Sequence, residues 1–327
     1  MTGEFYVSFF TLTAGILISL IALLNGTLTA AAGLYLTTVI IHVTAIIFAL
    51  IILWIGKNSF IPKKKLPLWM YCGGLISVMC TLCSNYAFGK INLIAITALG
   101  LLAQAIASLI IDCFGLLGAR KRRVRPATWV CIAFSSCGIV YMLYGSEMSV
   151  FSAIAASFAA GIGLVVSRVI SASLAEYSGT VGSSLINHMI GLPLAVLLLF
   201  VVGSSELAAL PESLTGAPAW SYLGGVVGML IIVITNVVLS RISAFQVSLL
   251  LFVGQVFSSA AIDILMGVDF SGRVFYGGVL IAAGILVNTI LEKKFSNGTA
   301  ELEHGSTTDK ELISDCVGNS ASAETKE

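Results

Sequence analysis

Charged residues are scarce in this sequence. Only 10% of its 327 residues are Asp, Glu, Lys or Arg, whereas 58% are hydrophobic and the mean hydropathy is +1.03. Soluble domains contain about 25% charged residues, and a soluble chain of this composition would expose apolar surface that it cannot cover. The composition therefore excludes a secreted disulfide scaffold, a nucleic-acid binder and a soluble enzyme, and it predicts a polytopic protein embedded in the lipid bilayer.

The residue clusters of a membrane enzyme are also missing. The sequence contains three His, one of which lies in the polar C-terminal segment, and no HExxH, GxSxG, Walker A or DxxD motif. Its seven Cys lie mostly in apolar segments, where they behave as small packing residues. Cys80 and Cys83 form a CxxC without the second pair that a zinc site needs. We therefore expect no enzymatic activity, no cofactor and no metal site.

Long apolar segments fill most of the chain. An apolar helix needs about 20 residues to cross the hydrocarbon core, and continuous apolar runs without a two-residue alternation favour helices over a β-barrel. The connections between these segments are short, which predicts one compact all-α bundle of ten transmembrane helices. The predicted spans are 5–24, 34–55, 68–89, 91–113, 127–145, 149–170, 180–203, 219–240, 243–266 and 273–291.

Polar and aromatic residues recur in the same order in the two halves of the chain. Chance similarity among apolar helices rarely matches Trp, His, Asn, Gln and Asp in sequence, so the recurrence indicates a duplication. It predicts one five-helix repeat at 5–145 and a second at 149–291. The matched residues are Gly15, Gly33 and His42 with Gly161, Gly179 and His188, and then Pro67, Trp69, Tyr71, Gly73, Gly74, Asn85, Gln104, Ser108, Ile111 and Asp112 with Pro218, Trp220, Tyr222, Gly224, Gly225, Asn236, Gln255, Ser259, Ile262 and Asp263.

The charge of the loops predicts that the two repeats are inverted. Each repeat has an odd number of spans, so the second crosses the membrane in the opposite sense to the first. Loops 56–67 and 114–126 are rich in Lys and Arg, whereas the matching loops 204–218 and 267–272 have neither. The positive-inside rule then places both termini in the cytoplasm. Residues 292–327 hold eight of the 16 acidic residues, and we expect them to form a disordered polar cytoplasmic tail.

Two motifs carry a resemblance to a known family. The sequences GLLAQAIASLIIDCFG at 100–115 and WMYCGG at 69–74 resemble the YdcZ-like branch of the drug/metabolite transporter superfamily. Proteins of that branch typically have one five-helix repeat, so this chain resembles a fused pair. The second copy departs from the pattern at Met266, where the first has Gly115, and at Ser171, where the first has Asn25. The resemblance implies a transporter of small molecules without naming a substrate.

Inverted repeats are typical of secondary transporters, which bind their substrate near the membrane midplane between the repeats. We therefore expect a transporter in the cytoplasmic (plasma) membrane that exports a small polar or amphipathic metabolite by alternating access. It would act as a monomer or homodimer, with no nucleic-acid partner. The alternative is a non-transporting or channel-like multi-span membrane protein.

Polar side chains inside predicted spans identify the candidate pathway, because such groups are costly in lipid and need a partner or a cavity. Gln104, Ser108 and Asp112 are spaced by four residues and share one helix face, and the second repeat has the same stripe. We expect the substrate pathway at Gln104, Gln255, Ser108, Ser259, His42 and His188, and the alternative for these residues is packing between helices. Asp112 and Asp263 lie near span ends, where they either form structural pairs or couple transport to a proton gradient.

Three further polar residues are given structural interpretations. Arg168 has no counterpart in the first repeat, and we expect its side chain to extend to the membrane interface. Asn85 and Asn236, near the ends of spans three and eight, are expected to cap or interrupt helices. The middle third of every span lacks a carboxylate, which argues against a polyaromatic cation as substrate.

Overall fold

The computed structural model describes most of the chain. In the described part, all secondary-structure elements longer than an isolated bridge are helices. The described residues are 2–57, 61–62, 64–88, 90–91, 93–118, 126–144, 148–208, 216–242 and 244–267, with Tyr276, Gly277, Leu280, Ala283, Gly284 and Val287. The predicted tail at 292–327 and most of the tenth predicted span lie outside these residues.

Nine long helices are described, and they follow the first nine predicted spans. A short helix, Ser204–Ala208, and three 3₁₀ turns, Leu68–Tyr71, Leu116–Gly118 and Ala219–Leu223, lie between them. The long helices are α1 (Thr2–Ala32), α2 (Leu34–Gly56), α3 (Gly73–Ala87), α4 (Leu93–Phe114), α5 (Pro126–Leu143), α6 (Met148–Ser178), α7 (Thr180–Val201), α8 (Gly224–Leu239) and α9 (Ala244–Leu265).

Seven helical segments among the described residues are long and apolar enough to cross a membrane. They contain α1 to α4 and α6 to α8, and α9 contributes a shorter apolar stretch at Leu250–Leu265. Large apolar side chains such as Ile47, Trp54 and Phe200 point outwards and are exposed on the protein surface. An outer surface of this kind suits lipid rather than water, so the prediction of an all-α membrane protein is confirmed at this level.

Matching glycines form the tight turns at equivalent places in the two halves. Gly33 separates α1 from α2 with φ +87°, and Gly179 separates α6 from α7 with φ +74°. A side chain is strained at such positive φ, whereas glycine adopts it readily. The recurrence of these two glycines in the sequence thus reflects the same turn made twice.

The entries into α3 and α8 are also alike. Pro67 precedes the 3₁₀ turn before α3, and Pro218 precedes the one before α8. Both turns place two glycines at the start of the helix that follows, Gly73 and Gly74 in α3 and Gly224 and Gly225 in α8. The predicted third span therefore begins with a 3₁₀ turn rather than with an α-helix.

The two halves interlock rather than pack as separate bundles. Helix α1 packs against α8 and α9, while α6 packs in the same way against α3 and α4. Across the centre, α2 contacts α7 and α4 contacts α9. Each half therefore completes the helix packing of the other, and the centre of the molecule is a contact between equivalent helices.

Glycine allows the closest of these contacts. A Cβ atom on Gly74 would lie 2.2 Å from the backbone oxygen of Asn187, and one on Gly225 would lie 2.2 Å from that of Ile41. Ile41 and Asn187 occupy equivalent places in the two halves. Small residues let helix backbones approach in membranes, so the paired glycines are explained by the packing of α3 on α7 and of α8 on α2.

Candidate substrate site between the two repeats

A cavity of about 70 Å³, whose mostly apolar wall carries several polar side chains, lies where the two halves meet. Its walls come from α1, α3, α4, α6 and α9, so neither half forms it alone. Gln104 and Gln255, which occupy equivalent places in the two halves, both line it, and so do Asn85, Thr97 and Ser157. The structure thus brings together the predicted Gln pair, one from α4 and one from α9.

Two amide groups in this cavity are buried without a partner. Gln255 is 4% exposed, and its Nε2 forms no hydrogen bond to any part of the chain that the structure describes. The Nδ2 of Asn85 is in the same state. A buried donor without a partner costs roughly 1–3 kcal/mol. Two residues of the cavity wall therefore each hold a buried amide donor without a described partner.

Gln104 is held by an arginine from the other half. Nη1 of Arg168 on α6 donates a hydrogen bond of 2.6 Å to Oε1 of Gln104. Because arginine can only donate, this bond fixes the amide oxygen towards Arg168. The Nε2 of Gln104 lies on the side of Gly100, another residue of the cavity wall. The donor end of Gln104 therefore lies beside another residue of the cavity wall.

The expectation that Arg168 extends to the membrane interface is wrong. Its side chain is buried, with 8% of its surface exposed, and it points towards α4. Arg168 does not line the cavity itself but bonds to Gln104, which does. The sequence did not reveal this contact because it joins positions 64 residues apart. The sequence did contain one indication that Arg168 is buried: it lies well inside the 31-residue helix α6, at the position equivalent to Ala22.

The predicted serine pair has two different environments. Ser259 on α9 shares hydrogen bonds with Ser19 of α1 at 2.9 Å and with Thr97 of α4 at 2.8 Å. Ser108 donates instead to the backbone oxygen of Ala105 within its own helix, at 3.0 Å. Ser259 therefore ties three helices together beside the cavity, whereas Ser108 makes only a local contact among those described. Neither serine lines the cavity.

The two predicted histidines meet each other at the contact of α2 with α7. The ring centroids of His42 and His188 are 5.1 Å apart, with an interplanar angle of 73°. Nδ1 of His42 lies 2.8 Å from the backbone oxygen of Thr38 and must carry a proton to donate to it. Both ring nitrogens of His188 are buried without a partner within the described ranges. Neither ring lines the cavity, so this His pair is a second polar feature of the centre.

The two aspartates are brought neither to the cavity nor to the His pair. Asp112 and Asp263 are buried in the last thirds of α4 and α9, beyond the residues that line the cavity. Among the residues that the structure describes, no cluster of three His, Cys, Asp or Glu is arranged to hold a metal ion. The role of the aspartates in coupling stays a prediction.

The asparagines differ from their expected role. Both side-chain atoms of Asn236 are buried and without a described partner, so Asn236 does not cap α8 through its side chain. Asn85, its equivalent, turns into the cavity wall. The sequence places both near helix ends, and only the packing of α3 against α1 and α6 shows that one of them reaches the candidate site.

The fold and the cavity define a helical membrane protein with two interlocked halves and a small cavity between them. The comparison of sequences gives the family: the chain matches the family described as "Putative inner membrane exporter, YdcZ" over residues 6–141 and again over 152–287. The chain therefore belongs to this family, a branch of the drug/metabolite transporter superfamily, with two copies of its unit. Membership in an exporter family points to a membrane transporter rather than an enzyme.

Solved structures support the fold. One crystal structure aligns with 89% of this chain and 98% of its own, with a TM-score of 0.60 and 18% sequence identity. At that identity the likeness concerns the fold alone. No curated protein matches the sequence.

Proposed function

We propose that the protein is a secondary transporter that exports a small polar or amphipathic metabolite across the cytoplasmic membrane by alternating access. The observation that carries this proposal is the cavity whose wall combines Gln104 and Gln255. A site shared by two repeats can open to one side and then to the other when the repeats rock against each other. The family description supports export as the direction.

The proposed topology has ten spans in two inverted repeats, with both termini in the cytoplasm. Contacts at the two ends of the bundle support it. Carboxylate oxygens of Glu206 accept hydrogen bonds from the first backbone N–H groups of α2, at 2.8 to 3.0 Å. This contact joins the loop after α7 to the turn after α1, and the proposed topology places both outside the cytoplasm.

The opposite end of the bundle supports the same arrangement. Ser173, near the end of α6, donates a hydrogen bond of 3.0 Å to the backbone oxygen of Leu117, just after α4. Gly118 also lies close to Trp69, which precedes α3. The segments joined here are flanked by the basic loops 56–67 and 114–126, which we assign to the cytoplasm.

The histidines and aspartates are secondary elements of the proposal. The His pair lies at the contact of α2 with α7, where equivalent helices of the two repeats meet and where rocking would change the packing. An imidazole titrates near neutral pH in water, so the His pair is a candidate element for proton coupling, together with Asp112 and Asp263. Efflux that ignores an imposed pH gradient would remove this element and leave the transport proposal intact.

The transport proposal is tested with purified protein in liposomes preloaded with a small-molecule extract of cells. We expect at least one compound to leave these vesicles faster than protein-free ones, with a rate that saturates with its concentration. The same compound supplied outside should accelerate the efflux, because a transporter returns faster when loaded, whereas a channel shows no such effect. Release of nothing above the protein-free rate would contradict the proposal.

A cheaper experiment tests the topology. Single cysteines placed in loop 56–67 and in loop 204–218 should react with an impermeant thiol reagent from opposite faces of the membrane. Reaction from the same face would contradict the inverted repeats.

A further inference from the structure

Arg168 is buried in the helical bundle without an acidic partner. No Asp or Glu in the described ranges pairs with it, and its described hydrogen bond goes to the neutral amide of Gln104. The guanidinium has five N–H groups, of which this bond uses one. Its position about two thirds of the way along α6 keeps it away from both helix ends.

Burying such an arginine lowers the stability of the protein when no ligand is bound. A charged side chain within a membrane-spanning helix normally pairs with an opposite charge or faces a polar pathway. A buried charge loses its hydration, and it destabilises the fold when no opposite charge offsets that loss. The single amide oxygen of Gln104 is too weak a partner to offset this cost, which indicates that Arg168 serves a ligand.

The polar side chains of the cavity wall include donors that lack a described partner. The unpartnered atoms of Gln255 and Asn85 are N–H donors, and the amide of Gln104 presents its donor end. None of the described residues that line the cavity is an Asp or a Glu, and its hydroxyls, on Ser84, Thr97 and Ser157, can donate as well as accept. Arg168 is not among the lining residues, but it donates to Gln104, which is. Unpartnered donors close to a buried cation, in a wall without a described carboxylate, suit an acceptor-rich anionic group such as a carboxylate.

We propose that the cavity binds the carboxylate of a small organic acid, with Arg168 as its charge partner. The acid would accept hydrogen bonds from Gln255 and Asn85 and take the place of Gln104 at the guanidinium. A cavity of about 70 Å³ leaves room for a carboxylate with a short carbon chain, since about 10–15 Å³ of such space already admits one water. This assignment rests on the proposed transport function and names its substrate class.

The test measures thermal unfolding of the full-length protein in detergent. The probes are lactate, pyruvate, 3-hydroxybutyrate, succinate and benzoate, each compared with its primary amide, which keeps the shape and removes the charge. We expect at least one acid to raise the unfolding midpoint by about 5 °C at saturation, with less than half that effect from its amide. If no acid stabilises the protein more than its amide does, the proposal is wrong.

Two arginine variants locate the effect. Arg168→Gln should abolish the response to the acid. Arg241 is an exposed arginine beyond α8, so Arg241→Gln removes the same charge elsewhere and should leave the response unchanged. A response that survives in Arg168→Gln, or that is lost equally in Arg241→Gln, would overturn the assignment.

A further variant covers the case in which Arg168→Gln does not fold. Gln104→Glu is nearly isosteric and gives Arg168 a carboxylate within the protein. We expect it to raise the resting midpoint and to reduce the response to the acid at least tenfold in apparent affinity. A purely structural Arg168 would gain the stability without any loss of binding, and that result would contradict the proposal.

Efflux separates this proposal from the transport function. Liposomes with the wild-type protein are loaded with the acid that binds most tightly. Binding without saturable efflux would leave the anion site standing and reject transport. In the opposite case, extract-loaded vesicles release only neutral or cationic compounds in a saturable way, and no acid binds. That result would support transport and reject the anion site.

Discussion

The two repeats share their backbone packing and differ in their polar chemistry. Matching glycines make the same turns and the same close contacts in both halves, as Gly74 and Gly225 illustrate. The buried arginine, in contrast, is found in one half only: Arg168 stands where the first repeat has Ala22. The duplicated contacts therefore define the shared helix packing, while the unmatched Arg168 makes the two halves chemically different.

A second difference concerns the N-termini of α2 and α7. The first N–H groups of α2 are bound by the carboxylate of Glu206, whereas a Cβ atom on Gly179, before α7, would have open space around it. A carboxylate at a helix N-terminus satisfies free donors and the helix dipole together. The N-terminus of α2 is thus stabilised by a charged contact, and the described residues at the N-terminus of α7 make no equivalent contact.

The largest expected effect comes from breaking the contacts that both repeats share. Gly74→Ala and Gly225→Ala would each push a methyl group into a backbone oxygen, and we expect each to lower the free energy of unfolding by about 3 kcal/mol. Thermal unfolding of the purified protein measures this. Gly228→Ala in α8 is the control, because its methyl group would meet only the flexible end of Ile21. Equal losses in all three variants would contradict the close-contact explanation.

The Glu206 contact should give the next largest effect. Glu206→Ala removes three hydrogen bonds to α2, and we expect it to destabilise the protein by about 2 kcal/mol. Glu176 is exposed near the end of α6, so Glu176→Ala makes the same change at the equivalent end and should cost less than about 0.5 kcal/mol. Chemical or thermal unfolding compares the two. Similar costs would show that the two ends are tied alike.

The His pair should show a small and unequal effect. His42→Leu removes the bond to Thr38 and should cost about 1 kcal/mol. His188→Leu removes two nitrogens without described partners and should leave stability unchanged or raise it slightly. Unfolding midpoints measured side by side test this order. A larger loss in His188→Leu than in His42→Leu would mean that His188 is better bonded than the structure shows.

Much of the fold could be predicted from the sequence, because lipid makes composition and periodicity strong signals. Nine predicted spans correspond to described helices, and the order of His, Gln and Gly residues revealed the duplication before any contact was known. The residues at which some helices begin were harder to predict. The 3₁₀ turns after Pro67 and Pro218 depend on how α3 and α8 meet their neighbours.

The candidate site was predictable only in part. Gln104 and Gln255 stood out because a polar amide in the middle of an apolar span needs a cavity or a partner. The bond between Gln104 and Arg168, and the cap that Glu206 provides for α2, join residues far apart in sequence. Periodicity gives the face of a helix but not the helix opposite it, so these contacts required the structure.

The central claim is that substrate crosses at the cavity between the repeats, and one labelling experiment tests it most directly. Ala22 lines the cavity at the position equivalent to Arg168, and a single Ala22→Cys thiol is introduced after the seven native cysteines are replaced. In sealed vesicles, a small impermeant methanethiosulfonate should label this thiol from either face, and the transported compound should slow both reactions. Labelling from one face only, or from neither, would contradict alternating access through this cavity.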